Sequence, residues 1–254
     1  MDGTVSITAA NFGFGPASHA VSVARAVRRK SNVRILGVTE AECIPYLKAS
    51  AAFDAVIQAY PNELPPSVLE TRSPTIVVAV TDFERAQAAK ALGFAVVVVD
   101  ALYWMWHSDP IDVRTVDAYL CLTFPRVAER MSRIQPACAT LKEIPQICEL
   151  NFGESSLERS GVILNFGGGT TPFGVSYSYM ATVAKCVQEA VVRTGTSALL
   201  IACSESCRRE LEERGFHGDV RCLSLNEMIR ELHSRSVLVT LPGLSIVWEA
   251  LASG

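Results

Sequence analysis

SVLVTLPGLSIVWEALASG, residues 236–254, joins an apolar, β-branched run (236–241) through Pro242-Gly243 to an apolar helical stretch (244–253) with no spacer. Strand, tight turn and helix in direct succession form the unit from which helix-covered parallel sheets are built. Working outward, the same unit recurs. GVILNF (161–166) runs into Gly167-Gly168-Gly169 and a helix from about 175 to 194, and SALLIAC (197–203) leads into a helix ending near Arg214. DVRCLSL (219–225) precedes a helix over 226–233.

The first half has the same rhythm. TVSITAA (4–10) precedes a glycine turn and SHAVSVARAVRRK (18–30), where Val21, Ala24 and Val27 recur at helical spacing and Arg28–Lys30 close the last turn. NVRILGV (32–38), DAVIQAY (54–60), PTIVVAV (74–80), FAVVVVD (94–100) and AYLCLTF (118–124) read as strands; 41–51, 83–93 and 127–133 read as helices. Residues 135–160, with Pro136, Pro145 and a polar NFGESSLERS segment, are less regular. The expectation is therefore α/β, with two Rossmann-like domains of parallel sheet, 1–145 and 146–254. Because the chain stops at Gly254 on a helix, the second domain is expected to be incomplete.

Composition narrows the function. The 254 residues are 49% hydrophobic and 19% charged, with net charge −3 and mixed signs throughout, so nothing marks a nucleic-acid binder. Mean hydropathy is +0.25, yet the apolar stretch ending at Val99 is broken by Asp100, far short of the roughly 20 residues of a membrane span. MDGTVSITAANFGFGP lacks a basic segment followed by an apolar one, so no secretory signal is read and a cytoplasmic setting is expected. Eight scattered cysteines read as free thiols; Cys203 and Cys207 lack a second ligand pair and read as small buried residues, with no metal site expected.

Open α/β sheets bind ligands outside the carboxyl ends of their strands, which selects the loops at 11–18, 81–83, 100–114, 167–174, 203–206, 223–226 and 242–245. At the last of these, Gly243 lets a ligand approach the backbone, and the first helical turn offers N–H groups that suit a diphosphate. Glu249, about one and a half turns on, is placed for ribose hydroxyls, or is a solvated glutamate on an ordinary helix. In GVILNFGGGTTPFG (161–174) the glycines expose amides, and Thr170 and Thr171 add hydroxyls. No Gly-Lys-Thr/Ser follows, so it is not a P-loop. NFGFGPASHAV (11–21) lacks the third glycine of a dinucleotide fingerprint, which argues against nicotinamide or flavin.

Together these loops resemble the GT-B glycosyltransferases, nearest to the branch of the lipid II-forming N-acetylglucosaminyltransferase and the antibiotic and macrolide glycosyltransferases. Pro242, Gly243, Glu249, Ala250, Leu251 and Gly254 match that family's P-G-x-x-x-x-x-E-A-L-x-x-G register. The resemblance implies that Gly243, Leu244 and Ser245 meet the donor diphosphate and Glu249 the ribose. It implies that Gly168, Gly169 and Thr170 line the cleft beside the sugar phosphate, that the backbone around Leu223 holds the base, and that Gly15 faces the acceptor.

One departure stands out: Pro16 occupies the position where many of these enzymes carry a histidine that serves as acceptor base. His19, three residues on, is either a displaced base with a pKa lowered by the helix N-terminus, or a polar surface residue near a cap. Asp100, at a strand's carboxyl end beside Tyr103, Trp104, Trp106 and His107, suits a base or a group orienting His107, with Trp104 and His107 on the acceptor; otherwise the aromatics pack under a loop. Asp82 is equally a helix N-cap, and Asp109 reads as turn chemistry.

His217 and His233 read as solvated. The reaction expected is transfer of a sugar from a nucleotide sugar to a small-molecule or lipid-linked acceptor, with no cofactor or metal; a homodimer is compatible with the sequence. An epimerase or hydrolase of the same fold, and a nucleotide-sugar-binding protein without catalysis, remain as alternatives.

Overall fold

The computed structural model describes residues 3–11, 13–70, 75–133, 141–147, 158–169, 176–196, 198–241 and 244–253. The Cα trace separates into two compact units, residues 1–11 with 16–147, and 12–15 with 148–254.

The first unit contains β1 (Thr4–Ala9), α1 (Gly15–Lys30), β2 (Arg34–Thr39), a 3-10 turn (Ala41–Cys43), α2 (Ile44–Ala49) and β3 (Ala55–Gln58). It continues with α3 (Pro66–Leu69), β4 (Thr75–Val80), α4 (Phe83–Ala91), β5 (Ala95–Asp100), β6 (Ala118–Leu122), α5 (Val127–Ser132) and β7 (Leu141–Ile144). Its strands form one parallel sheet of order β3-β2-β1-β4-β5-β6-β7. β1 is central and buried along its whole length, with Thr4–Ala9 beside Thr75–Val80. On one face Val77, Ala79, Val96, Val98 and Tyr119 pack with Ala86 and Ala89 of α4. Alternation along the strands puts these side chains two residues apart, as a half-sheet core requires.

The second unit contains β8 (Val162–Gly167), α6 (Tyr177–Thr194), β9 (Leu199–Cys203), α7 (Glu205–Glu213), β10 (Asp219–Arg221), α8 (Leu225–Ser234), β11 (Val237–Thr240) and α9 (Leu244–Ser253). The parallel order is β10-β9-β8-β11. Leu164, Phe166, Ile201 and Cys203 pack beneath Met180 and Ala184 of α6 and Leu211 of α7. Ile163, Leu200 and Ala202 point the other way, against Leu232 of α8 and Ile246 of α9. Helices begin directly after the strands because side chains satisfy their first N–H groups. Ser204 accepts from Cys207 N (3.3 Å), and Ser224 and Glu227 form a reciprocal capping box.

The α/β class with parallel sheets is observed. Two elements lie where none was expected. β7 falls inside the segment read as irregular and pairs with β6 at the sheet edge; Leu141 is its one buried residue, so LKEI carries too little alternation to announce a strand. α3 is a single turn behind Pro65. The stretch read as one helix over 41–51 is a 3-10 turn followed by a six-residue helix. Among the described residues no helix is long and apolar enough to cross a membrane.

Leu200 is fully buried in the second core. Leu200→Ala should lower unfolding free energy by about 2–5 kcal/mol in denaturant titration, through lost apolar contact and the cavity left behind.

Candidate functional site

Strand order reverses between β8 and β11, so the chain leaving these neighbours diverges to opposite faces: α6 belongs to one core and α9 to the other. The gap at such a switch point is where open parallel sheets bind ligands. The segments that follow β8 and β11 border this gap.

On the β8 side, Phe166 is an extra residue relative to β9: Asn165 pairs with Ala202 and Gly167 with Cys203. The bulge re-aims the backbone at the strand's end. Gly167 (φ 58°) and Gly169 (φ 76°) then adopt left-handed conformations that L side chains rarely take, and Gly169 N donates to Phe166 O (3.2 Å). Gly169 also lies against α7, where an added Cβ would meet Cys207 Cβ at 3.4 Å. On the β11 side, α9 begins at Leu244, with Ser245 and Glu249 both buried. Glu249 is 5% exposed, so the reading of it as a solvated surface glutamate is corrected. Leu223 is buried against Ile163 and Ile246, just before the capping box of α8. Thr170, Thr171, Pro242 and Gly243 lie outside the described residues, as does the side chain of Leu244.

In the first unit the reversal lies between β1 and β4. There a polar chain spans the carboxyl ends of four strands. Asn11 Nδ2 donates to Glu40 (3.3 Å); Arg85, buried, pairs with Asp82 (2.7 Å), donates to Ala59 O (2.8 Å) and lies 4.0 Å from Glu40. Asp82 also caps α4 through Arg85 N. Thr81, between β4 and Asp82, has φ 53° and a buried hydroxyl with no partner among the described residues, a strained position of the kind found at ligand-binding edges. In the sequence Glu40 stands out only as the acidic residue just beyond the second strand, and Arg85 not at all; an arginine in the alanine-rich stretch FERAQAAKA was the available signal.

Gly15 is the first residue of α1. His19 is 1% exposed, which overturns its reading as a surface residue. Burial lowers its pKa to about 4, so the ring is neutral at pH 7; both ring nitrogens lack partners among the described residues. Desolvation, rather than the helix N-terminus, is the cause. His217 is exposed as expected, whereas His233 is only half-exposed, with a buried, unpartnered Nδ1. Cys203 and Cys207 are free and buried. No three His, Cys, Asp or Glu side chains gather around a metal-sized space among the described residues.

The 100–114 loop is fixed from α5. Arg130 donates to Tyr103 O (2.9 Å) and to Trp106 O, pairs with Asp109 (2.6 Å), and lies 4.5 Å over the Tyr103 ring. Trp104 lies against Phe124 with its ring tilted, Trp106 meets Phe83 edge-on, and both indoles are half-buried; His107 is exposed. Asp109, read as turn chemistry, is the Arg130 partner.

Solved structures share this architecture at low sequence identity. The chain aligns over 99% of its length, and 79% of the other, with a UDP-glucose:anthocyanidin 3-O-glucosyltransferase in complex with UDP (TM-score 0.54, 14% identity). It aligns over 98%, and 82% of the other, with the E. coli ADP-heptose LPS heptosyltransferase II (TM-score 0.50, 13% identity). The fold is GT-B. A UDP-N-acetylglucosamine 2-epimerase shares it, over 95% of this chain and 80% of that one (TM-score 0.51, 9% identity). The likeness does not single out the lipid II or macrolide branch. No protein-family model matches the sequence, and no curated protein matches it.

Asp100 is fully buried, and both oxygens are engaged: Oδ1 accepts from Leu102 N (2.7 Å), Oδ2 from Tyr119 OH (2.7 Å) and Trp106 Nε1 (3.1 Å). His107 is not among these donors. Burial raises the Asp100 pKa to about 6 against the lowering effect of its donors. An acid whose folded pKa is raised stays protonated in the native state while the unfolded chain ionises. Native stability therefore falls as pH rises from the ordinary carboxylate range to about 6, then levels. Asp100→Asn removes this slope; in thermal or denaturant unfolding, wild type should lose about 2 kcal/mol of stability between pH 4 and pH 7 relative to the variant.

Proposed function

We propose that the chain binds a nucleoside diphosphate sugar at the β8–β11 crevice and transfers the sugar to a small-molecule or lipid-linked acceptor. The observation that carries this is the pairing of two loops at one switch point: a bulged glycine turn on one side and a ten-residue helix N-terminus on the other. Helix-terminal N–H groups and left-handed glycine amides supply donors for a diphosphate without a countercharge on the protein, and would stabilise it as leaving group. Thr170, Gly243 and Leu244 belong to the same two loops. Buried Glu249, one and a half turns into α9, is the ribose-hydroxyl contact in this reading, and the backbone near Leu223 holds the base.

The register of Pro242, Gly243, Glu249, Ala250, Leu251 and Gly254 supports a relationship to the lipid II and macrolide branch. The acceptor side is proposed to involve Gly15, Trp104 and His107, with His19 or Asp100 as base. The enclosure of both His19 and Asp100 favours a second reading, in which the donor is bound and hydrolysed or epimerised without a protein-held acceptor base.

Thermal-shift or calorimetric titration with uridine, thymidine, guanosine and adenosine diphosphate sugars tests the reading. Stabilisation by at least one is expected, and none would overturn it. With the preferred donor, release of free sugar in the absence of acceptor identifies hydrolysis. Glu249→Ala should weaken donor binding by about 1–3 kcal/mol; unchanged affinity would remove the ribose contact.

A further inference from the structure

Asn165 is the single polar residue inside the apolar strand β8 (Val-Ile-Leu-Asn-Phe-Gly), and it is 6% exposed. A buried amide is costly unless both its ends are bonded, and here one end is bonded at the end of β8 and the other at the end of β11. Its Oδ1 accepts from Gly167 N (3.1 Å), closing a short ring across the bulge. Its Nδ2 donates to Thr240 Oγ1 on β11 (3.2 Å), 75 residues away in sequence. Thr240 in turn directs its hydroxyl proton to Leu241 O (2.8 Å), the last described carbonyl before α9, and Leu241 N donates to Asn165 O (3.3 Å).

We propose that Asn165 is a positioning residue that holds Gly167–Gly169 and the end of β11 at Leu241 in one fixed relation, and so presents the amides of the glycine turn and of the first turn of α9 together to a diphosphate. The proposal rests on the donor-site reading above. Gly167, Gly168 and Gly169 have no side chains with which to hold themselves, and two of them stand in conformations that relax readily when unsupported. The sheet ladder already pairs Thr240 with Asn165, but backbone bonds fix only the strands. The chain Gly167–Asn165–Thr240–Leu241 adds side-chain bonds to that pairing at the two strand ends and carries it one residue past β11, to Leu241.

The test uses the full chain with Asn165→Ala, Thr240→Val and Thr240→Ser. Amide exchange followed by mass spectrometry should accelerate in both 164–169 and 238–249 for the first two variants, while the β9–α7 segment 199–213 is unchanged. Affinity for whichever of uridine, thymidine, guanosine and adenosine diphosphate wild type binds should fall about tenfold in each, and the double variant should be little worse than the worse single one. Thr240→Ser, which keeps the hydroxyl, should stay within about twofold of wild type. A merely structural role would lower the melting temperature without this rescue pattern. Faster exchange confined to 164–169, or affinity unchanged in Asn165→Ala, would overturn the proposal. Should wild type bind none of the uridine, thymidine, guanosine and adenosine diphosphates, the donor reading falls, and exchange in 238–249 alone decides whether Asn165 couples the two strand ends.

Discussion

Parallel strands cannot be joined by a hairpin: each connection must return over the sheet, with a fixed handedness. Everything at the edges of both sheets depends on that constraint. A series that grows to one side and then restarts on the other has two neighbouring strands whose following segments leave to opposite faces. In the first unit these are β1 and β4, in the second β8 and β11. No side chain is needed to open such a gap, so sequence variation is free to decide what lines it.

The two edges are lined in contrasting ways. Around β1 and β4, charged groups are met by partners within the protein: Glu40 by the Asn11 amide, Arg85 by Asp82 and by the Ala59 carbonyl. Burial does the rest nearby, pushing both His19 and Asp100 toward their neutral forms. Around β8 and β11 the described residues put glycines in left-handed turns beside the start of α9. Dipoles of this kind attract anions without the desolvation cost that an isolated buried cation would carry.

Strand runs and glycine turns were legible because they are local: six apolar residues and a turn announce themselves wherever the chain places them. The fold class followed from their alternation. What escaped is non-local or weakly patterned. β7 is an edge strand with two exposed charges. Arg130 acts on carbonyls 24 and 27 residues upstream, and nothing in its own helix distinguishes it from Arg126 or Arg133. His19 looked like a cap-proximal surface residue because sequence position near a helix start does not report what covers that turn. Of the candidate site, the loops were legible and their supports were not; Asn165 stood in plain view in VILNFG, but its partner is on a strand 75 residues later.

That pattern has a physical basis. A site made of backbone amides gains specificity only if the amides are held still, and glycine, which permits the turn, resists order most: fixing it costs roughly 0.5–1 kcal/mol more than alanine in regular structure. The compensating contacts cannot come from the glycines. They have to come from a neighbouring residue anchored in rigid structure, with two-ended hydrogen bonding and a reason to be buried. A strand amide side chain meets all three conditions, whereas a hydroxyl donates only one proton and a charge would need a counterion. An asparagine at the last regular position of β8, bonded forward to Gly167 and sideways to Thr240, is therefore the kind of residue this edge requires.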